Sequence, residues 1–224
     1  MVGIQHAIFA QAAGGTNVST TFPTDPGTDF TTVFGTHALA VNGPSVPVPS
    51  GTLQVNPTAG TSAALTYHNS IGIQAAGTQK ATSAALAGLF QIQGVFARMT
   101  FGTGHTDSSG YWGDFLNVAT LRIIRIGPGG VEAIATQAVT SAVYTGGGGF
   151  ADISFNFVVP AAGGDITLWL SKPGEADSEV CTMVGADTGT YETGYFGMLS
   201  FSNPPVDPPP SPLWWSFYSY SEDV

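Results

Sequence analysis

Histidine, aspartate and serine occur close together in the segment Gly104–Asp114, where they could support nucleophilic chemistry. A Ser–His–Asp triad works only when its three side chains converge from fixed supports, and neighbours within one loop seldom do so. The same segment contains an adjacent pair of aromatic residues, Tyr111 and Trp112. We therefore interpret it as a long exposed loop with an aromatic tip, and we predict no catalytic residue in it.

Exposed aromatic rings can stack on the faces of sugars, since they combine a large apolar surface with a polar edge. Tyr111 and Trp112 are the candidate glycan-contact residues on this basis. Trp169 could contribute from an open sheet face, or it could belong to the core of the second sheet. A carbohydrate-binding surface is therefore one hypothesis for this chain.

Other patterns of catalytic or metal-binding residues are weak. Glycoside hydrolysis requires two carboxylates, and Glu192, near Tyr191 and Tyr195, is the best single candidate without an evident partner. No Gly-x-Ser-x-Gly elbow is present, and the four glycines at 146–149 are interpreted as a hairpin turn. We predict a protein that is not an enzyme, with no catalytic residue, no cofactor and no assigned metal ligand. A structural calcium ion in a loop is left open.

The C-terminal segment 203–224 combines a proline-rich stretch with a run of aromatic residues. Prolines favour a stiff extended chain, and the residues behind them would expose a large apolar patch if nothing covered them. We predict an extended arm whose end docks on another copy or another protein, since Trp and Tyr are preferred interface anchors. The alternative is an edge strand folded back on the chain's own sandwich. The predicted anchor residues are Leu213, Trp214, Trp215, Phe217, Tyr218 and Tyr220.

Composition argues against several classes of partner. The 224 residues include 15 acidic and 5 basic side chains, which gives a formal net charge of −10. Nucleic acids and anionic membranes are disfavoured as partners, because both are bound mainly through Lys and Arg. The N-terminus lacks the features of a secretory signal, and Cys181 is the single cysteine, which precludes an internal disulfide. We expect a soluble protein that is kept inside the cell until an assembly or release step.

Alternation of apolar residues predicts strands through residues 61–202. The clearest strand is 150–159, in which Ile153, Phe155 and Phe157 share one face. Residues 83–93 could form a helix or a pair of buried strands, and 115–126 could form a single long strand. Beyond residue 94 the alternation puts four apolar side chains on one face: Val95, Ala97, Met99 and Phe101.

Eight or more short strands with glycine-rich turns predict an all-β fold, built as an antiparallel, jelly-roll-like sandwich. The sequence shows no alternation of strands and helices, which argues against a parallel sheet. Residues 1–60 are rich in turn sequences and are expected to form an extended N-terminal arm or outer strands. The predicted organisation is therefore an arm at 1–60, a sandwich body at 61–202 and an aromatic-tipped arm at 203–224.

A lysine-poor β body rich in Gly, Thr and Ala, with extended arms at both ends, resembles a bacteriophage virion protein. The pattern Tyr195–Phe201 is similar to the last strand of lamin-G or concanavalin-like sandwiches. The resemblance implies a structural role in the virion, as a capsid decoration (cement) protein or a tail-fibre component. It also implies a homotrimer that binds the major capsid protein or another virion protein through its arms.

The main hypothesis from the sequence is thus a non-enzymatic capsid decoration protein located in the virion. The first alternative is a tail-fibre or receptor-binding adhesin, or a carbohydrate-binding module on the same fold. The second alternative is a jelly-roll glycosidase, which needs a pair of carboxylates in one cleft.

Overall fold

Two antiparallel sheets packed face to face form a sandwich in the computed structural model of this chain. The all-β antiparallel sandwich predicted from the sequence is confirmed. Cys181, the glycines at 146–149 and the prolines at 204–212 lie outside the described residues. The structure describes residues 16–22, 29–39, 51–58, 63–85, 91–117, 119–140, 153–160, 164–172, 183–186, 190–202 and 213–222.

The strands are numbered in chain order over these residues. Their bounds are β1 (Asn17–Thr20), β2 (Phe30–Val33), β3 (Gly35–Leu39), β4 (Leu53–Pro57), β5 (Ala63–His68), β6 (Gly77–Ala85), β7 (Gln91–Thr100), β8 (Ser109–Leu116), β9 (Thr120–Gly127), β10 (Gly130–Ala138), β11 (Ile153–Val159), β12 (Asp165–Ser171), β13 (Met183–Ala186), β14 (Tyr195–Ser202) and β15 (Leu213–Ser221). A short 3-10 helix, His105–Asp107, lies between β7 and β8. Within the described ranges, no helix has the length and apolar character needed to cross a membrane.

Sheet A contains eight of these strands, in the spatial order β13-β12-β11-β6-β15-β4-β3, with β1 also paired to β15. Sheet B contains seven, in the order β10-β9-β8-β7-β14-β5-β2. The described parts of residues 1–60 therefore supply three strands to sheet A and one to sheet B. In these parts, the N-terminal region is built into the sandwich.

The main core lies between the two sheets and follows the predicted alternation. Ile153, Phe155, Phe157 and Val159 of β11 are fully buried there, which confirms the face predicted for this strand. Asn156 lies between them in sequence and therefore points to the outer face of sheet A. Burying one such large apolar side chain contributes about 1.5–3 kcal/mol.

The single face predicted for β7 is wrong beyond Ala97. Val95 and Ala97 point into the main core, but the register against β8 shifts after Ala97, and Arg98 has a positive φ of 50°. Such a β-bulge inserts one extra residue and so reverses the alternation of side chains. Met99 and Phe101 consequently lie on the other face of sheet B.

Of two other segments, 83–93 follows the second of its two predicted alternatives, a pair of strands, and 115–126 differs from its prediction. In the described part of 83–93, no helix forms, because β6 continues to Ala85 and β7 begins at Gln91. The segment 115–126 contains a turn at Asn117, whose φ is 51°. Its two halves therefore lie side by side, as the end of β8 and most of β9, and not end to end as one strand.

The C-terminal aromatic run forms β15, a strand in the middle of sheet A. It pairs with β6 along one edge, and along the other edge with β4 near its start and β1 near its end. Side chains on one face of this strand point between the two sheets, and Trp215, Tyr218 and Tyr220 belong to the main core. Leu213 is also buried, with 1% of its surface exposed.

The structure corrects the prediction of an aromatic anchor on an extended C-terminal arm, and the strand is not an edge strand either. Two of the buried rings also satisfy their polar atoms inside the chain. Trp215 Nε1 donates to Ser200 Oγ at 3.1 Å, and the Tyr218 hydroxyl donates to Gln79 Oε1 at 3.1 Å. These side chains are therefore not available to a partner. The two other predicted anchors are half-buried: Trp214 and Phe217.

Candidate functional site

The outer face of sheet B carries a second hydrophobic cluster, separate from the main core. Its members come from five neighbouring strands, and the alternation in each strand puts them on the side turned away from sheet A. An apolar sheet face of this size requires a cover of chain or ligand. The buried members are Ala63, Leu65, Phe96, Met99, Trp112, Ile124, Ile126 and Leu199.

The connection between β7 and β8 folds across this face. Phe101 stacks against both Tyr67 and Tyr195, with ring centroids 5.5 and 5.2 Å away, and the two tyrosine rings lie 4.5 Å from each other. Further along the connection, the His105 ring lies edge-on to Phe201 at a centroid distance of 5.8 Å. These ring contacts hold the short 3-10 helix above sheet B.

The His, Asp and Ser side chains of this connection do not form a triad. Asp107 accepts a hydrogen bond from Thr103 Oγ1 at 2.6 Å, and the buried Ser108 hydroxyl donates to the Gly104 carbonyl at 3.0 Å. Partial burial lowers the pKa of His105, although the nearby Asp107 charge acts in the opposite direction. The imidazole is therefore mostly neutral at pH 7, and the other two groups brace the loop.

A cavity of about 390 Å³ lies between this connection and the outer face of sheet B. Its volume falls in the range of small-molecule sites, which are mostly apolar with a few placed polar groups. The same composition is found here. The lining residues are Ile92, His105, Thr106, Trp112, Asp114, Leu116, Asn117, Arg122, Ile124, Ile126, Val131, Leu199 and Phe201.

An ion pair between neighbouring strands is the main polar feature of the cavity. Arg122 Nε and Nη2 donate to the two carboxylate oxygens of Asp114 at 2.8 and 2.7 Å. Asp114 is only 1% exposed, and this burial raises its pKa to about 6, although Arg122 acts to lower it. At pH 7 the carboxylate is thus charged and held in one orientation by a bidentate guanidinium.

Gly94 permits a close approach of the β8 backbone at Asp114. The two residues are paired in the register between β7 and β8, and a Cβ added at Gly94 would lie 2.8 Å from the Asp114 Cα. Side chains do not tolerate so close an approach, so a glycine at this position reflects the nearness of another backbone.

Tyr111 and Trp112 lie within β8 and not at the tip of a loop. The strand sends them to opposite faces: Tyr111 enters the main core and meets the Tyr191 ring at 5.4 Å, and Trp112 joins the outer cluster. They are 1% and 6% exposed, so the predicted pair of exposed glycan-contact rings is wrong. Trp112 nevertheless lines the cavity.

The indole N–H of Trp112 has no hydrogen-bond partner in the part of the chain that the structure describes. Leaving a buried donor unpaired costs about 1–3 kcal/mol. A ligand oxygen that reached this donor would recover that free energy. Trp112 therefore combines a place in the cavity lining with an unpaired buried donor, two positions before Asp114 on β8.

Carboxylates are scarce in the cavity. Among the described lining residues, Asp114 is the one acidic side chain, and Glu192, the predicted acid candidate, is exposed and lies outside the lining. Over the described ranges, no group of three or more His, Cys, Asp or Glu side chains could hold a metal ion. The arrangement suits ligand binding through hydrogen bonds and ring contacts.

Sequence reasoning did not find Asp114 and Arg122 as a pair. The two residues are eight positions apart, and their strands face each other because the chain turns at Asn117. Opposite charges three positions before and five positions after an Asn were a usable signal, since Asn favours the left-handed backbone of a turn. Because 115–126 was predicted to be one strand, the pairing of Asp114 with Arg122 across this turn was not predicted.

No protein-family model and no curated protein sequence matches this chain. Solved structures do match its fold. Arcelin-5, a lectin-like defense protein from Phaseolus vulgaris, has a TM-score of 0.63 at 10% identity, over 95% of this chain and 100% of that one. Lectin II from Ulex europaeus has a TM-score of 0.59 at 13% identity, with the same coverage of both chains.

A carbohydrate binding module from Bacillus subtilis, CBM66, also matches. Its TM-score is 0.54 at 12% identity, over 84% of this chain and 91% of that one. Identities this low establish a shared fold, a lectin-like β-sandwich, and carry no information on ligand. A sandwich of this general kind agrees with the resemblance stated for Tyr195–Phe201. Nothing in this likeness indicates a bacteriophage virion protein.

Proposed function

We propose that this protein is a non-enzymatic carbohydrate-binding protein that holds its ligand in the cavity on the outer face of sheet B. The observation that carries the proposal is the position of the Asp114–Arg122 pair in an apolar cavity beside Trp112 and Phe201. The similarity in fold to lectins and a carbohydrate binding module supports the proposal as an analogy of architecture.

The chemistry of the cavity fits a sugar. Sugars combine hydroxyl groups with apolar C–H faces, and the Asp114 carboxylate can accept from hydroxyls while the remaining N–H groups of Arg122 donate to them. The ring of Phe201 and the aliphatic floor offer apolar contact. His105 and Asn117 add polar atoms at the rim, where His105 is partly exposed and Asn117 is exposed.

Binding is favoured over hydrolysis. Glycosidases use two carboxyl groups on opposite sides of the scissile bond, and the described lining supplies Asp114 alone. The glycosidase alternative therefore has the weakest support of the three hypotheses.

The biological setting stays a prediction from the sequence. A virion location, a trimeric assembly and a capsid or other virion protein as partner are neither supported nor opposed by the cavity. A glycan-binding cavity suits the adhesin or carbohydrate-binding alternative better than the capsid decoration role.

A glycan array followed by calorimetry tests the proposal. We expect the native protein to bind a defined saccharide, and a double variant with His105→Ala and Asn117→Ala to bind it at least tenfold more weakly, equivalent to about 1.4 kcal/mol. Asn117 has a positive φ of 51° and the His105 ring packs on Phe201, so the variant should unfold at a lower temperature, and its affinity is measured well below its thermal midpoint. Native protein that binds no saccharide at millimolar concentration, or a folded double variant with unchanged affinity, would contradict the proposal.

A further inference from the structure

A second groove, of about 440 Å³, crosses the outer face of sheet A, on the opposite side of the sandwich from the cavity. Five side chains lie in register across five adjacent strands of this face. In order from β12 to β1 they are Trp169, Asn156, Lys80, Ser219 and Ser19. All five line the groove.

The row is long and straight. Neighbouring strands are about 4.8 Å apart, so five strands give a row of about 19 Å measured across the sheet. Its side chains are an aromatic ring, an amide, an ammonium group and two hydroxyls. The groove therefore matches an extended ligand with repeated polar groups better than a single small molecule.

Lys80 is the only charged side chain in the described lining of the groove. It is half-buried, and its ammonium group has no ion-pair or hydrogen-bond partner among the described residues. Arg122 and Arg125, by contrast, are paired with Asp114 and Glu132. An unpaired cation in a groove whose described lining contains no carboxylate favours a ligand that carries negative charge.

The aromatic end of the row is held in place. Leu168 and Leu170 of β12 are buried in the main core, so Trp169 between them points outward and is half-buried. The neighbouring Asn156 is 8% exposed, and its Nδ2 donates to Ser171 Oγ at 2.8 Å, which fixes the amide plane. An outward-pointing, half-buried ring beside an amide in a fixed position presents a stacking surface at low cost in entropy.

We propose that this groove binds an acidic oligosaccharide, with a pyranose ring against Trp169 and a carboxylate of the ligand on Lys80. A second copy of the chain fits less well, because a twofold interface centred here would bring two Lys80 side chains together with no acid in the described lining. Nucleic acid also fits less well, since several phosphates require several cations. The site is independent of the cavity on sheet B.

The test compares tetragalacturonate with its fully methyl-esterified form, which has the same sugar chain without the charge. At 20 mM salt we expect calorimetry to show that the acid binds native protein at least tenfold more tightly than the ester. Lys80→Gln should abolish this difference, and Trp169→Ala should weaken both ligands. Trp214→Ala, which removes a half-buried tryptophan outside the groove, serves as the control and should bind as the native protein does.

Four outcomes would overturn the proposal: no binding of the acid by native protein, equal binding of acid and ester, a Lys80→Gln variant that still prefers the acid, or a Trp169→Ala variant that binds as native. Loss of the acid's binding in the His105→Ala and Asn117→Ala variant would also overturn it, because the acid would then occupy the sheet B cavity. Sedimentation that shows a dimer broken by Trp169→Ala and unaffected by the acid would assign the groove to a second copy. If the variant with His105→Ala and Asn117→Ala still binds tetragalacturonate, the result supports the proposal, even where glycan binding in the sheet B cavity fails.

Discussion

The two outer faces of this sandwich differ in whether their charged side chains are paired. On sheet B a connection covers the face, and the acidic group inside, Asp114, is buried against Arg122. On sheet A the face is open and lined by hydroxyl and amide groups, and Lys80 has no partner in the described lining. A covered cavity with a paired charge can orient a compact ligand by hydrogen bonds. An open row with one unpaired charge can select an extended ligand of opposite sign.

Both faces depend on the same core, and the largest effect is expected there. Trp215 is fully buried between the sheets, meets the Phe155 ring at 5.9 Å and bonds Ser200 on sheet B. We expect Trp215→Ala to lower the free energy of unfolding by about 3–5 kcal/mol in urea denaturation, and to weaken binding on both faces. Trp214→Ala should cost about 1 kcal/mol or less. Native stability in the Trp215→Ala variant would mean that β15 is not a core strand.

Titration of Asp114 should change the free energy of unfolding by a smaller amount, and this change comes from sheet B alone. The pKa of Asp114 is raised from 3.8 to about 6, so the folded state binds this proton more tightly than the unfolded state does. The stability that the group contributes is full below about pH 4 and is lost as the pH rises through 6. Relative to Asp114→Asn, the native protein should therefore lose about 2.5 kcal/mol of unfolding free energy between pH 4 and pH 7.5.

Urea denaturation of both proteins across this pH range provides the measurement. Other carboxylates titrate in both proteins and cancel in the difference, which isolates Asp114. If the difference in unfolding free energy between the native protein and Asp114→Asn stays constant with pH, the Asp114 carboxyl is not buried as described. The contrast between the two faces would then lose its basis.

Lys80 should give the smallest effect on stability. Its ammonium group makes no ion pair or hydrogen bond in the described part of the chain, so Lys80→Gln should change the free energy of unfolding by less than about 0.5 kcal/mol. The same variant is expected to lose preference for the acidic ligand. A loss of more than about 1 kcal/mol in urea denaturation would indicate a structural partner for Lys80, and would contradict its role as a free cation.

The strands could be predicted because the alternation of apolar and polar residues along a strand indicates which of its faces is buried. The alternation in β11 identified its buried face correctly. Where a bulge intervened, at Arg98, the same rule assigned Met99 and Phe101 to the wrong face. Bulges depend on the neighbouring strand, and a local pattern does not contain that information.

The candidate site could be predicted only in part. Trp112 was selected for its ring, but its adjacency to Tyr111 suggested a shared surface, and adjacent residues of a strand face opposite ways. Asp114 and Arg122 were missed because the chain turns between them. The C-terminal aromatics were interpreted as an arm because prolines precede them, although their alternation is that of a strand.

By itself, the sequence determined the fold class and the strongly acidic character of this protein. Both depend on residue types and on a period of two, which are local properties. The tertiary structure alone decided that β15 lies between β6 and β4, that a loop covers sheet B, and that Lys80 stands in a row with Trp169. Backbone hydrogen bonds are the same for every pair of strands, so a strand's own residues do not identify its neighbours. Those neighbours decide which side chains meet.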